Sequence, residues 1–414
     1  MALTKKSFRH ASAQELGVML QEAHDYTLSL FECLFANGAD PDINERAGSA
    51  VSSPVRELGY LAWMAEYLVL REGAQQASTI SSASTSSDQP APRLRPSMLT
   101  QGDEWFDINH TLHDTTMPST LPKAAQLITY KNEVLDRILD QLSRTSNTEA
   151  SLYPYRLALA REDQQAEHWL MQLQTLGQQA PLALARHVTP PWAQADIRFP
   201  GGSLFMGLGA NSDDGFVFEI EKPAQLIYVP AFEIDSNLIS NAQFAEFVQD
   251  NGYQRPQYWS KSGTQWLMQQ ERSSPLTWTR DGNWWRCNRF DRDILLAASE
   301  PVRHISLYEA QAYCIWAERR LPSEAEWEFV AVSGNPLFRW GDLWEWTCSP
   351  FEPYLGFDAK NTDFGAQAKA AFSTHQSVRG ASFATPARLH HKRHRNFLLP
   401  ACCDAFVGFR TCRL

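Results

Sequence analysis

Residues 320–328 read Arg320-Leu-Pro-Ser-Glu-Ala-Glu-Trp-Glu328, and a few residues on comes Trp340-Gly-Asp-Leu-Trp-Glu-Trp-Thr347. In the first stretch Ser323 and Glu326 have the spacing of a capping box, whose side chains satisfy N–H groups left open at a helix start. A short helix therefore begins there. Upstream, Ser306 to Arg319 and Asn241 to Asn251 carry helical apolar periods, while Leu226 to Val229 and Phe232 to Ile234 read as strands among many Gly turns. Of the 14 Trp, most follow Trp192. Large rigid side chains at that density hold irregular backbone and line pockets. The reading is a mixed α/β domain over residues 195–414.

The first half has a different texture. Residues 13–35 place Leu16, Met19, Leu20, Ala23, Leu30, Phe31 and Leu34 on one helical face. Pro54 suits the first turn of a second helix with Leu58, Leu61, Ala62, Ala65, Leu68 and Val69 inward. Residues 123–144 and 151–174 give a third and a fourth. Four helices with one long crossover predict a bundle over residues 1–178. Residues 74–98, rich in Ser, Gln, Ala and Pro, bury little and read as a disordered insertion. Residues 179–194, with Pro181, Pro190 and Pro191, form the linker.

Composition narrows the function. A net charge of −10 over 414 residues argues against nucleic acid and favours a small-molecule partner. There is no apolar run of about 18 residues to span a membrane. The N-terminal basic residues precede no apolar stretch, so no signal peptide is read there. Seven Cys without metal-site spacing, two of them adjacent (Cys402, Cys403), read as thiols of a cytoplasmic protein.

The motifs form an ordered series: Gly201-Gly-Ser-Leu-Phe-Met-Gly207, Asn241-Ala-Gln-Phe, His304-Ile-Ser-Leu-Tyr, the two stretches above, Arg379-Gly-Ala-Ser-Phe383, Arg395-Asn-Phe397 and Gly408-Phe-Arg410. This series resembles the formylglycine-generating-enzyme-like, or sulfatase-modifying-factor, domain, which implies a C-type-lectin-like fold. Thr385 and His390 stand where the true formylglycine-generating enzymes carry a copper-binding Cys pair. Pro353-Tyr-Leu-Gly-Phe357, together with Glu57-Leu-Gly-Tyr-Leu-Ala-Trp63 and Leu157-Ala-Leu-Ala-Arg-Glu-Asp-Gln-Gln165, resembles the hercynine-using sulfoxide synthases of ergothioneine biosynthesis and looks closest to their selenoneine synthase branch. The resemblance implies a DinB-like bundle ahead of the lectin-like domain.

That family holds one Fe(II) on three imidazoles, neutral and borderline-soft donors that suit iron. Here the matching positions are Tyr60, Arg161 and Gln165, so no metal or other cofactor is assigned, and Fe(II) enters by resemblance only. Arg161 has no lone pair to give and carries a fixed positive charge. His168, one turn past Gln165, is a spare imidazole, and His113 matches a position the family also fills with His. The resemblance further implies Tyr354 as an active-site proton or electron donor, with packing as its alternative, and Asn396, Trp346 and Phe357 as contacts for a hercynine-like ligand. Leu398 and Cys402 replace the residues that grip a γ-glutamylcysteine partner. Asp342, Leu343 and Glu345 lie in a loop that in this fold can hold a structural calcium, or whose carboxylates can cap loop N–H groups. Three readings stay open: a working synthase; a pseudoenzyme that binds a small molecule or regulates an active paralogue; and new chemistry in which Arg161 holds an anion and Tyr60 works as acid or base.

Overall fold

The computed structural model describes residues 3–36, 53–72, 95–107, 121–185, 187–189, 193–209, 215–358 and 368–414. They divide into two compact units, Met1–Gln172 with Pro386–Leu389, and Leu173–Thr385 with His390–Leu414. No helix among the described residues is long and apolar enough to cross a membrane, and all seven cysteines are free thiols.

The first unit is helical. Among its described residues the long elements are α1 (Ala13–Ala36), α2 (Pro54–Ala65, continued by a π-helical stretch Glu66–Glu72), α3 (Ala124–Leu142) and α4 (Glu149–Thr175). The apolar faces read from the sequence are buried: Leu16, Leu30 and Leu34 of α1, Leu58 and Leu61 of α2, Val134 and Ile138 of α3. Trp169 of α4 packs on Phe31 of α1, ring centroids 5.9 Å apart. Gly59 admits the ring of Phe106 from a short helix, Gly102–Phe106; a Cβ there would sit 2.3 Å from the ring. Residues 95–98, expected within the mobile insertion, are ordered instead. The Ser97 hydroxyl and the Met98 N–H each donate to the buried Glu66 carboxylate at 2.8 Å, so this end of the segment completes a buried polar site. Residues 73–94, His110 and His113 lie outside the described residues.

Charges sit inside this apolar bundle. The Asp163 side chain is 1% exposed, and Arg388, from the short return segment, grips both its oxygens at 2.7 and 2.6 Å and reaches Glu22 at 3.2 Å. Burial pushes the Asp163 carboxyl up to about 6 even against the pull of Arg388. Next door, Lys131 pairs with Glu162, which also accepts from the Thr27 hydroxyl.

The second unit is sheet-rich with irregular connections. Its strands are β1 (Asp196–Phe199), β2 (Gly202–Met206), β3 (Gln225–Val229), β4 (Phe232–Asp235), β5 (Trp278–Asp281), β6 (Trp284–Arg289), β7 (Arg292–Leu295), β8 (Arg319–Arg320), β9 (Trp344–Pro350), β10 (Gln376–Gly380), β11 (Arg395–Leu398), β12 (Val407–Gly408) and β13 (Cys412–Arg413). Among the described residues they form sheets β1-β4-β13-β8 and β11-β10-β9-β12, the ribbon β2-β3 and the meander β5-β6-β7. The register sets Arg379 of β10 opposite Glu345 and Val378 opposite Trp346 of β9. Helices α5 (Asn241–Gln249), α6 (Lys261–Gln270), α7 (Leu307–Trp316) and α8 (Glu324–Ser333) complete it. The expected capping box of α8 forms, with Ser323 accepting from the Glu326 N–H and Glu326 accepting from the Ser323 N–H at 2.7 Å. Helix α6 and the meander were absent from the sequence reading; Lys, Gln, Trp and Arg there give no clear period. The core gathers Ile197, Phe199, Phe232, Ile234, Trp327 and Val330 between sheet and α8.

Two expectations follow. Arg388→Ala leaves Asp163 buried without its cation, so chemical denaturation should show a loss of about 3–5 kcal/mol, far more than for an exposed Arg. His304, 2% exposed with φ +61°, is held neutral by burial and by the nearby Arg303, its imidazole depressed to about 3. The unfolded chain therefore binds a proton that the folded one refuses, and stability falls as pH drops from about 6.5 toward 3. His304→Asn, a residue that tolerates left-handed backbone, should flatten that acid limb by up to about 1.4 kcal/mol per pH unit; an unchanged slope would locate the acid sensitivity elsewhere.

Candidate functional site

In the helical unit, Glu57 of α2 faces one stripe of α4. Its carboxylate accepts from the Trp169 indole N–H at 2.6 Å, from the Gln165 amide at 3.2 Å and from the Gln172 amide at 3.3 Å, and the His168 Nε2 lies 3.0 Å away. Residues 165, 168, 169 and 172 follow the i, i+3, i+4, i+7 rule, which is why one carboxylate can collect all four. Tyr60, one turn beyond Glu57, stacks on Trp63 with ring centroids 6.3 Å apart. Arg161 donates to Gln164 at 3.3 Å.

Of the three positions that the sequence resemblance pointed to, Gln165 is engaged by the Glu57 hub, and Tyr60 and Arg161 lie on α2 and α4. This donor set does not fit Fe(II). The guanidinium offers no lone pair, and the Gln165 amide nitrogen is turned to a carboxylate. Among the described residues, no three His, Cys, Asp or Glu side chains gather as a metal cluster. Sequence reasoning missed the hub itself. Its signal was present as Glu57 three residues before Tyr60, with Gln165, His168, Trp169 and Gln172 on one helical stripe.

In the second unit, Tyr354 is 4% exposed and belongs to the core cluster. The Arg395 guanidinium lies 4.1 Å from its ring centroid, and its hydroxyl has no hydrogen-bond partner among the described residues. Burial drives the phenol far above its ordinary range, so it stays protonated. Gly207, at φ +78°, makes room for it: a Cβ there would lie 2.7 Å from the ring. A cationic lattice surrounds Tyr354. Arg395 binds Glu324 at 2.5 and 3.1 Å; Arg379 spans Glu324 and Glu328; Arg393 reaches Glu328 at 2.7 Å. These opposed charges hold Glu324 below its ordinary range despite the opposing cost of burial, the largest influence on it.

Trp346 is fully buried, and its indole N–H donates to the Ile305 carbonyl at 2.7 Å. The one polar group of the side chain is spent on backbone, and no face reaches solvent. Asn396 and Phe357 are half-buried. Asn396 fixes its own amide by accepting the Phe397 N–H at 2.9 Å, and Phe357 packs edge-on against Phe372 at 5.3 Å. The carboxylate of Glu345 in the 342–345 loop is engaged with protein donors. Both Glu345 oxygens are taken, by Arg410 at 2.5 and 2.7 Å and by the Trp327 indole at 2.8 Å, and Leu343 is buried. Asp342 lies 3.7 Å from His187.

Residues 185–342 match the sulfatase-modifying factor enzyme 1-like domain. The chain is 25% identical over 460 residues to a hercynine oxygenase of Mycolicibacterium smegmatis, covering 97% of this chain and 98% of the relative. It is 25% identical over 448 residues to the hercynine oxygenase of Mycolicibacterium thermoresistibile, covering 96% and 94%. A formylglycine-generating enzyme of Bos taurus is 32% identical over 170 residues, 37% of this chain and 44% of the relative.

Denaturant melts should separate the two centres. Glu57→Ala leaves buried donors of Trp169 and Gln172 without their shared acceptor and should cost about 2–4 kcal/mol. Tyr354→Phe removes a hydroxyl that holds no partner among the described residues and should change stability by less than about 1 kcal/mol; a large loss would show that the hydroxyl makes an essential bond.

Proposed function

We propose that this chain, a homologue of the hercynine oxygenases along nearly its whole length that carries a sulfatase-modifying-factor domain, binds a hercynine-like small molecule without the family's iron chemistry. The N-terminal bundle is read as DinB-like and the second unit as C-type-lectin-like, in keeping with that kinship. The observation that supports the proposal is the Glu57 hub, which binds Gln165 and Trp169, together with the fixed cation of Arg161 on the same helix as Gln165. A guanidinium about 4 Å from a metal ion opposes it by about 4 kcal/mol per unit charge at an effective dielectric of about 20, before any coordination bond is lost. No step through iron is derived, and neither selenium nor sulfur transfer is assigned.

Ligand capture is assigned to the second unit's half-buried Asn396 and Phe357. Asn396, bound to its neighbour's N–H through its oxygen, keeps amide hydrogens for a carboxylate or an imidazole nitrogen. Such a binder suits a regulator working beside an active relative.

Protein prepared without oxygen and supplied with Fe(II) should carry well under one equivalent of iron, while hercynine gives a saturable calorimetric signal that Asn396→Ala weakens. Tyr60→His, Arg161→His and Gln165→His together should raise Fe(II) uptake, because the i, i+4 spacing on α4 persists. Stoichiometric iron in the unaltered protein would overturn the reading in favour of a working synthase. Absence of hercynine binding would remove the ligand assignment while leaving the metal argument standing.

A further inference from the structure

A cleft of about 690 Å³ opens in the helical unit, with Arg71 and Glu66 at its floor and Arg95, Arg137, Asp140 and Arg144 around it. It contains none of Tyr60, Arg161 or Gln165, so it stands apart from the position where the family binds its metal. The floor is rigid. Arg71, its side chain 4% exposed, donates to both Asp103 oxygens at 2.6 and 2.8 Å and through Nε to the Arg95 carbonyl at 2.7 Å. Glu66, the buried carboxylate there, is satisfied by the Tyr130 hydroxyl, the Ser97 hydroxyl and the Met98 N–H.

The rim behaves differently. Arg137 lies on α3 and Arg144 two residues past its last residue, Leu142, and each pairs with a carboxylate four residues back, Glu133 and Asp140. Those side chains are 53–72% exposed. Solvent-exposed pairs are weak, so both guanidiniums can turn to a better acceptor. Arg95 joins them from the extended segment that crosses the cleft, itself exposed. Four guanidiniums thus converge on one hollow in a chain of net charge −10.

The planar fork of Arg matches the oxygens of a phosphate and strengthens when both charges are desolvated together. We propose that this cleft binds a phosphate-bearing small molecule with at least two negative charges, of the pyrophosphate class. Arg71, already paired with Asp103, forms the fixed floor, and Arg95, Arg137 and Arg144 close on the outer oxygens.

The test is calorimetric titration of the full chain with sodium pyrophosphate, with inorganic phosphate and citrate in parallel. Pyrophosphate should bind at one saturable site at least tenfold more tightly than phosphate or citrate, and weaken as salt rises. The triple variant Arg95→Gln, Arg137→Gln, Arg144→Gln should lose at least tenfold in pyrophosphate affinity with an unaltered melting temperature, since its side chains are exposed. A nucleoside triphosphate run beside inorganic tripolyphosphate tells a nucleotide from a free polyphosphate, and saturable binding of either supports the site. No saturable binding of pyrophosphate, equal affinity for citrate, or a triple variant that binds like the parent protein overturns the proposal.

Discussion

The second unit hangs on one fully buried ion pair, Arg410 with Glu345. Beyond gripping both oxygens of Glu345, Arg410 donates to the carbonyls of Asp235, Ser236 and Arg339, and Glu345 takes the Trp327 indole hydrogen. One guanidinium thereby ties the end of β4, the loop after α8, strand β9 and the C-terminal segment. A buried pair of this kind gains little over apolar packing when intact, yet removing one partner strands a charge. What it supplies is uniqueness: irregular backbone whose carbonyls meet directed donors has one arrangement in which all of them are satisfied. Glu324, Glu328, Arg379 and Arg395 repeat the device one layer away, around Tyr354.

The same logic governs the bundle, where one carboxylate gathers the donors at a helix contact. Glu57 draws Trp169, Gln165 and Gln172 to itself, so helices α2 and α4 are cross-braced by hydrogen bonds. A metal centre and a carboxylate hub solve one packing problem with opposite charge. Each needs converging polar groups at a helix contact, but the hub asks for donors where a metal asks for lone pairs. Arg161 is at home beside the second and foreign to the first.

Local features were legible in the sequence. The helix over residues 13–35 appears as Ala13–Ala36, and that over residues 123–144 as Ala124–Leu142, because period and caps are properties of neighbouring residues. Ser323 with Glu326 forms its capping box in place. Partnerships across long separations were not legible. Nothing near Trp346 announces that Ile305 will take its N–H, so a buried Trp and a ligand-facing Trp read alike. Glu345 looked like a calcium ligand for the same reason, its true partner lying 65 residues away. The hub that gives Gln165 its partner needed the packing of α2 on α4.

Arg388 and Asp163 are separated by 225 residues, yet they close the same bundle core. The order of synthesis then matters. At about 5–20 residues per second, Asp163 leaves the ribosome roughly 10–45 seconds before its cation exists. Through that interval the four helices can collapse only around an unpaired acid, and a protonated carboxyl is the cheaper form to bury. The bundle is first in sequence but completes its core among the last events of translation, so its maturation is timed by the other unit.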